Sequence, residues 1–339
     1  MVLTFAEALE QSAAYAKRHL LLGNGFSIAC RPDIFAYGRL YEQANFATLS
    51  DTAKKGFEAL GTQDFERVIK ALRDASRIIS AYDGAADLAA ECMADSNRLR
   101  ELLVQTIAAS HPAWPGEIGE EEYAASRAFL DHFSTKYTLN YDLLLYWAQM
   151  HTDDGRIVTS DDGFRSPEED LAASYVVWEP GQSHDQDTWY LHGALHVFDA
   201  GTEIQKYTWS KTGVRLIDQI RDALARGFFP LFVSEGTSSE KYERIRHNDY
   251  LAKAYRSFCS IQHVLFIFGH SFAANDDHYL RCIQRGKVAH LFVSLFGDEG
   301  SEQNRFIRRR AEALATARPQ RRPLRVTFFS AESAKVWSR

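Results

Sequence analysis

Leu20-Leu21-Leu22-Gly23-Asn24-Gly25-Phe26-Ser27 is the stretch on which the reading of this chain turns. An apolar run stops at two glycines, and a short segment with a helix-start pattern follows. That order predicts a buried first strand, a tight turn and a helix N-terminus. Such a turn can serve anion binding. Glycines let the backbone approach a phosphate, and the free N–H groups of a first helical turn point at it. The pattern departs from a dinucleotide-binding G-x-G-x-x-G. Its third glycine would fall at Ile28, and no acidic strand end follows at the usual distance. An ordinary strand–turn–helix accounts for two glycines equally well, so the weight passes to the rest of the chain.

With 339 residues the chain can bury one large core or two small ones, and 45% hydrophobic residues with 13% aromatics exclude a disordered protein. A formal charge of −6 argues against a general binder of nucleic acid or acidic membranes. No apolar run reaches the length of a membrane span, and Met1 to Glu10 lack the basic and apolar regions of a signal peptide. Cys30, Cys92, Cys259 and Cys282 are far apart and form no C-x-x-C pair. Their spacing predicts neither disulfides nor a zinc ribbon, and a reducing cytoplasm as the setting.

Residues 4–18 suit an amphipathic helix leading into the strand at 19–22. Arg31-Pro32-Asp33-Ile34-Phe35 with Tyr37-Gly38 reads as a punctuated loop able to fold over a ligand. Residues 40–132 read as a large helical insertion, broken once at His111-Pro112-Ala113-Trp114-Pro115-Gly116. Lys136–Asn140 is a short β-type run, with Asp142 at the following helix start. Residues 152–187, rich in Asp, Gly, Ser and Pro, read as a polar excursion or lid containing the strand-like Tyr175–Trp178. Trp189 begins another β-type run that ends near Phe198. Beyond it, apolar strands at 229–233, 264–269, 291–296 and 324–329 alternate with helices, one of them spanning 239–259. The pattern predicts a single α/β domain over residues 1–339, Rossmann-like, with a mostly parallel sheet and helices on both faces. Ligands of such sheets bind beyond the carboxyl ends of the strands, where Gly23, Asn140, His192, Glu235 and Gly269 fall.

Four pieces therefore stand in order: Gly23-Asn24-Gly25-Phe26-Ser27, Thr138-Leu139-Asn140-Tyr141-Asp142, Leu191-His192-Gly193 and Phe268-Gly269-His270-Ser271. The ordered set resembles the sirtuin fold family over about residues 20–300. Phe229-Pro230-Leu231-Phe232-Val233-Ser234-Glu235-Gly236 is similar to that family's Pro-initiated strand ending in a small residue and Glu. More narrowly, the glycine turn, the Leu-rich helix after Asp142, and Gly269-His270-Ser271 followed by Asn275-Asp276-Asp277-His278 resemble sirtuin-like NAD hydrolases of bacterial defence. The resemblance implies catalytic positions for Asn140 and His192. It implies that Gly23, Asn24, Gly25, Phe26 and Ser27 line the pyrophosphate and adjacent ribose. Gly269 and Ser271 would lie at the distal ribose, Asp142 would hold the Asn140 turn, and Asp276 would cap a helix or reach the adenosine end. Two departures stand out. Asn24 replaces the usual Ala of the turn, and the deacylase's four-cysteine zinc module is absent, since no cysteine lies between His192 and Pro230.

The chemistry is reasonable on its own terms. Breaking nicotinamide from ribose develops positive charge on the sugar, as in other glycosyl transfers. A neutral amide such as Asn140 can orient a water. An imidazole such as His192 can take a proton from that water or from a ribose hydroxyl. The expectation is thus an NAD glycohydrolase of antiphage defence, with NAD as substrate and no metal. A homo-oligomer or a separately encoded sensor subunit would control it. Three alternatives stand beside it: a deacylase, an ADP-ribosyltransferase, and a non-catalytic NAD or ADP-ribose sensor. Blander readings also apply. Asn140 could be a turn residue, and His192 a hydrogen-bonded core histidine. Asn275-Asp276-Asp277-His278 reads as a helix start before a metal site. His192 and His196 in one strand would stand ~13 Å apart, too far to share a zinc. Arg308-Arg309-Arg310 with Arg318, Arg321 and Arg322 reads as a solvated face and loop.

Overall fold

The computed structural model describes residues 2–48, 50–152, 160–182, 185–233 and 236–337. Among these residues, ten strands build two sheets. The first contains β1 (Arg18–Leu22), β2 (Thr135–Thr138), β4 (Thr188–Tyr190), β8 (Gln262–Phe268), β9 (Lys287–Leu295) and β10 (Arg325–Ser330), in the order β10-β9-β8-β1-β2-β4. Every pairing in it is parallel. Read from β4 inward, this is the 3-2-1-4-5-6 order of a doubly wound dinucleotide-type sheet, with its direction of winding reversed beside β1. The sheet is buried on both faces, as its continuous apolar strands require. Leu20 and Leu22 join one core, with helices Phe65–Ile79, Ala86–Ser110 and Leu216–Ala225. Leu21 joins the other, with helices Asp249–Ser260, Asp277–Arg285 and Glu302–Thr316.

The second sheet was not foreseen. It contains β3 (Tyr175–Trp178), β5 (Gly193–Asp199), β6 (Ile204–Tyr207) and β7 (Pro230–Phe232), in the antiparallel order β3-β6-β5-β7. The run expected from Trp189 to Phe198 is therefore two strands in two sheets. Gly193 makes the break: its φ is +81°, and a Cβ there would fall 1.8 Å from the Leu231 carbonyl oxygen. No other residue type fits so close an approach. The 229–233 strand, expected in the parallel sheet, instead lies antiparallel to β5. Apolar content reports burial and not partner direction, so both assignments were open to this error.

Between β1 and β2 the chain is largely helical, and its break follows Ser110 as the Pro-rich stretch predicts. Five further expectations change. The first helix is shorter, Phe5–Ser12, closed at its start by a Thr4–Glu7 capping box. The segment after Arg31 is two helices, Pro32–Phe35 and Tyr37–Gln43, and not a loop. The helix expected over 239–259 is two, Ser238–Arg246 and Asp249–Ser260. Asn248 starts the second by accepting the Leu251 N–H at 3.1 Å. Finally, Cys259 and Cys282 form a disulfide with Cα atoms 4.8 Å apart, against the expectation of free thiols. Helices distant by 23 residues pack side by side, which spacing along the chain does not reveal. The Arg-rich segment is also less solvated than expected. Arg310 pairs with Asp277, Arg308 pairs with Glu299 at 2.8 Å, and buried Arg318 donates to the Gly286 and Val288 carbonyls. Glu235 lies outside the described residues, as does part of the 152–187 excursion.

His111 pins the Pro-rich break beneath the sheet edge. Its Nδ1 donates to the Pro112 carbonyl at 3.0 Å while Nε2 accepts the Leu143 N–H at 3.1 Å, an arrangement that needs the neutral ring. Burial holds His111 down to about 4, and His19 and His278 likewise. The unfolded chain binds these protons near pH 6.5 and the folded chain does not, so stability is full above 6.5 and falls as pH drops toward 4. Each group costs about 1.4 kcal/mol per pH unit within that window. Urea titrations at pH 7 and pH 5 should show this loss, and His111→Gln should make the slope shallower.

Candidate functional site

The strand registers bring the predicted pieces to one edge. Leu22 pairs with Thr138 and with Phe268, and Thr138 with Tyr190. Gly23, Leu139, Leu191 and Gly269 are thus the first residues past the carboxyl ends of four adjacent strands, with Asn140 and His192 one residue beyond. Leu139 and Leu191 prolong this register, donating their N–H groups to the Leu22 and Thr138 carbonyls at 3.0 and 2.9 Å.

The two glycine turns lock against each other. The N–H of Gly23 donates to the Phe268 carbonyl, and that of Gly25 to the Gly269 carbonyl, both at 2.9 Å. A Cβ on Gly25 would fall 2.5 Å from Gly269 Cα, and one on Gly23 2.6 Å from Gly269 O. Here the structure corrects the sequence reading. The N–H groups of Phe26, Ser27 and Ile28 are bonded to the carbonyls of Gly23, Asn24 and Asn24 at 3.0, 3.0 and 2.9 Å. With Gly25 also engaged, the N–H groups of Gly25, Phe26, Ser27 and Ile28 are all bonded within the protein and do not face a phosphate. Asn24 turns away to the Phe35 carbonyl at 3.1 Å, and Phe26 is buried against Trp337 with ring centroids 5.1 Å apart. The glycines serve close backbone packing.

Asn140 is held from the same turn. Its Nδ2 donates to the Gly23 carbonyl at 3.1 Å and to Ser27 Oγ at 2.9 Å, which leaves Oδ1 as the acceptor. Ser27 Oγ passes its own proton to Asp142 Oδ2, while Asp142 Oδ1 accepts the Leu144 N–H at 2.9 Å. Burial pushes the Asp142 carboxyl up, against these hydrogen bonds. Asp142 is thus linked through Ser27 to Asn140 and caps the Leu144 N–H. Ser271 is exposed.

His192 lies where the chain leaves the first sheet for the second. It is buried, roughly parallel to the Tyr141 ring at 6.2 Å between centroids, and near Tyr279 at 5.6 Å. Around it stands a group of charges, of which the sequence reading named Asp276 but not Lys241 or Glu66. Asp276 Oδ1 is 3.7 Å from His192 Nε2 and 3.2 Å from Lys241 Nζ. Asp276 Oδ2 is 3.2 Å from His270 Nε2. Lys241 also reaches Glu66 Oε2 at 3.4 Å, and that oxygen accepts from Asn275 Nδ2 at 3.2 Å. His270 Nδ1 accepts the Phe272 N–H at 3.1 Å, so Nε2 carries the proton facing Asp276. Phe272 itself has φ +58°, a left-handed conformation held in a fully buried side chain.

Desolvation, with Lys241 adding to it, holds His192 well below the usual imidazole range. Burial opposes the Asp276 charge, yet Lys241 and the His270 hydrogen bond outweigh it and hold that carboxyl well down. Burial raises Glu66 to about 7. Burial also opposes the Lys241 charge, but Glu66 and Asp276 together raise it. No motif marks Lys241 or Glu66, since each is one charged residue in a helix of many.

Donor atoms of His192, Asp276 and His278 lie within 4.8 Å of one another, and both histidine Nε2 atoms are buried without hydrogen-bond partners. The set has the donors for a cation. Lys241, however, already meets the Asp276 charge. The 275–278 stretch is also a helix start, with helix Asp277–Arg285 following a single 3₁₀ turn.

Over residues 20–337 the chain matches the family described as Domain of unknown function (DUF4917). The chain belongs to that family. Among curated proteins none matches it. No helix of the described residues is long and apolar enough to cross a membrane.

The locked turns make a direct prediction. Gly25→Ala drives a methyl into the Gly269 backbone and should cost about 1–3 kcal/mol, the range for overpacking a tight interior. A thermal melt checks it. Gly61→Ala is not the control to use, because Gly61 has φ +56°. Gly56→Ala is the better one, since its nearest neighbour is a Val68 methyl at 3.2 Å.

Proposed function

We propose that the chain is an NAD glycohydrolase that releases nicotinamide and ADP-ribose, and that it serves antiphage defence by depleting NAD. The observation that carries this reading is the pairing of Asn140 and His192 beyond adjacent parallel strands. The amide's donors are tied to Gly23 and Ser27, and the imidazole is kept neutral by burial. Asn140 Oδ1 is then an acceptor for a water or ribose hydroxyl, and neutral His192 a proton acceptor. Support also comes from the doubly wound strand order, since ligands of such sheets bind at the switch point, here beside β1. The sirtuin-like sequence pattern adds to it. The reading rests on these two side chains and not on the glycine turn, where the N–H groups of Gly23, Gly25, Phe26, Ser27 and Ile28 are bonded to backbone carbonyls.

One observation favours a binding module instead. Burial and Lys241 together weaken His192 as a base. NAD or ADP-ribose held tightly without turnover would decide for that sensor.

NAD consumption by the purified chain, alone and with candidate partner subunits, tests the proposal. Asn140→Ala and His192→Ala should each lower turnover about 100- to 10,000-fold while the fold persists. Near-normal turnover by both variants ends the assignment. Free ADP-ribose, with no ADP-ribosylated or deacylated acceptor, separates hydrolysis from transfer. Control by assembly is part of the proposal. Specific activity should fall on dilution as a homo-oligomer or sensor complex dissociates, and fully dissociated chains of undiminished activity would refute it. A metal-independent mechanism predicts unchanged turnover after chelation, with elemental analysis as the check.

A further inference from the structure

The catalytic reading leaves unexplained how a desolvated His192 gains a proton, and the charges beside it supply a means. We infer that Asp276 is the positioning residue of His192, and that Lys241 and Glu66 fix Asp276 in turn, so that the helical segment between β1 and β2 completes the site. The inference rests on the glycohydrolase reading for its chemistry, though its geometry stands apart from it.

The ring nitrogen nearer Asp276 is Nε2, 3.7 Å from Oδ1. That is beyond hydrogen-bond length, but close enough for a carboxylate to favour an imidazolium. A proton on Nε2 facing the carboxylate leaves Nδ1 as the acceptor toward the ligand. In the step, a water proton moves to Nδ1 and the water oxygen bonds to ribose C1′. The C1′–N bond breaks, and its electron pair neutralises the departing nicotinamide. The positive charge lost from the pyridinium ring is thereby matched by that gained on His192. Asp276 is the only carboxylate among the charges identified around the ring. Lys241 from helix Ser238–Arg246 opposes the imidazolium, and His270 and His278 oppose it when charged. Tyr279 and Tyr141 pack against the ring without charge.

Two groups hold the carboxylate. His270 donates to Oδ2, and Lys241 reaches Oδ1. Lys241 is itself shared with Glu66 on helix Phe65–Ile79, which also accepts from Asn275, the neighbour of Asp276. Glu66 therefore draws on the same cation that suppresses His192. A shift of that helix would change how much of the Lys241 charge bears on Asp276.

The test follows the His192 ring by NMR on histidine-labelled protein. The background is Glu66→Gln with Lys241→Met, which removes both charges of that ion pair and leaves the Asp276 carboxylate held by His270 alone. There the Asp276 charge acts on His192 without opposition. His192 should take up its proton at a pH at least about one unit higher than after further Asp276→Asn substitution. Coincident titrations would overturn the inference, whether or not NAD is cleaved. In the otherwise unmodified chain, Asp276→Asn should lower kcat at least about 100-fold, with ADP-ribose affinity by calorimetry held within about threefold. Unchanged kcat would refute the positioning role. So would a loss carried wholly by ADP-ribose affinity. A chain that never cleaves NAD defeats the glycohydrolase reading, and the titration still decides for or against Asp276.

Discussion

Two backbone turns approach so closely that neither tolerates a side chain, and the rest of the site depends on that contact. Gly25 donates to Gly269, and the Cβ positions of both would overlap the opposite backbone. The contact joins β1 to β8 at the point where the sheet reverses its winding. It fixes Gly23, whose carbonyl then anchors Asn140. It also sets the start of the His270–Phe272 loop, from which Asp276 returns toward His192. Anion binding by the glycine turn would need the same N–H groups that this packing consumes, and packing has the better claim on them.

The second organising constraint is electrostatic. Glu66, Lys241, Asp276, His192, His270 and His278 are gathered in a largely buried space, where an isolated charge would be costly. Two carboxylates flank one ammonium, and a hydrogen bond from His270 supplies further compensation. Such an arrangement contributes little to stability compared with apolar packing of the same volume. In the proposed function, its value lies in setting which protonation state His192 holds. Strand ends place His192 and His270, while helices packed beside the sheet bring in Glu66, Lys241 and His278.

The resemblance to sirtuin-like NAD hydrolases and the three-dimensional arrangement bear on different questions. The first names a reaction; the second tells which side chains could meet. Asn140, Asp142 and His192 lie together beyond the carboxyl ends of β2 and β4. Gly23, Gly25 and Gly269 belong to the framework beneath them, and Asp276 belongs beside His192. Membership in DUF4917 covers nearly the whole chain and leaves the reaction itself to experiment.

The sequence by itself determined the parallel sheet, its burial on both faces, and the edge at which the site lies. Those follow from continuous apolar strands alternating with helices, a pattern written locally. It also placed Asn140, Asp142 and His192 just beyond strand ends, because each follows a strand that ends legibly. Tertiary structure alone decided the second sheet, since pairing direction is set by partners distant along the chain. It decided the Cys259–Cys282 pairing for the same reason. It also brought Glu66, Lys241 and Asp276 together from positions separated by 175 and 35 residues. A charged residue on a helix looks alike in sequence whether it faces water or a buried carboxylate. Only the packing of one helix against another tells which.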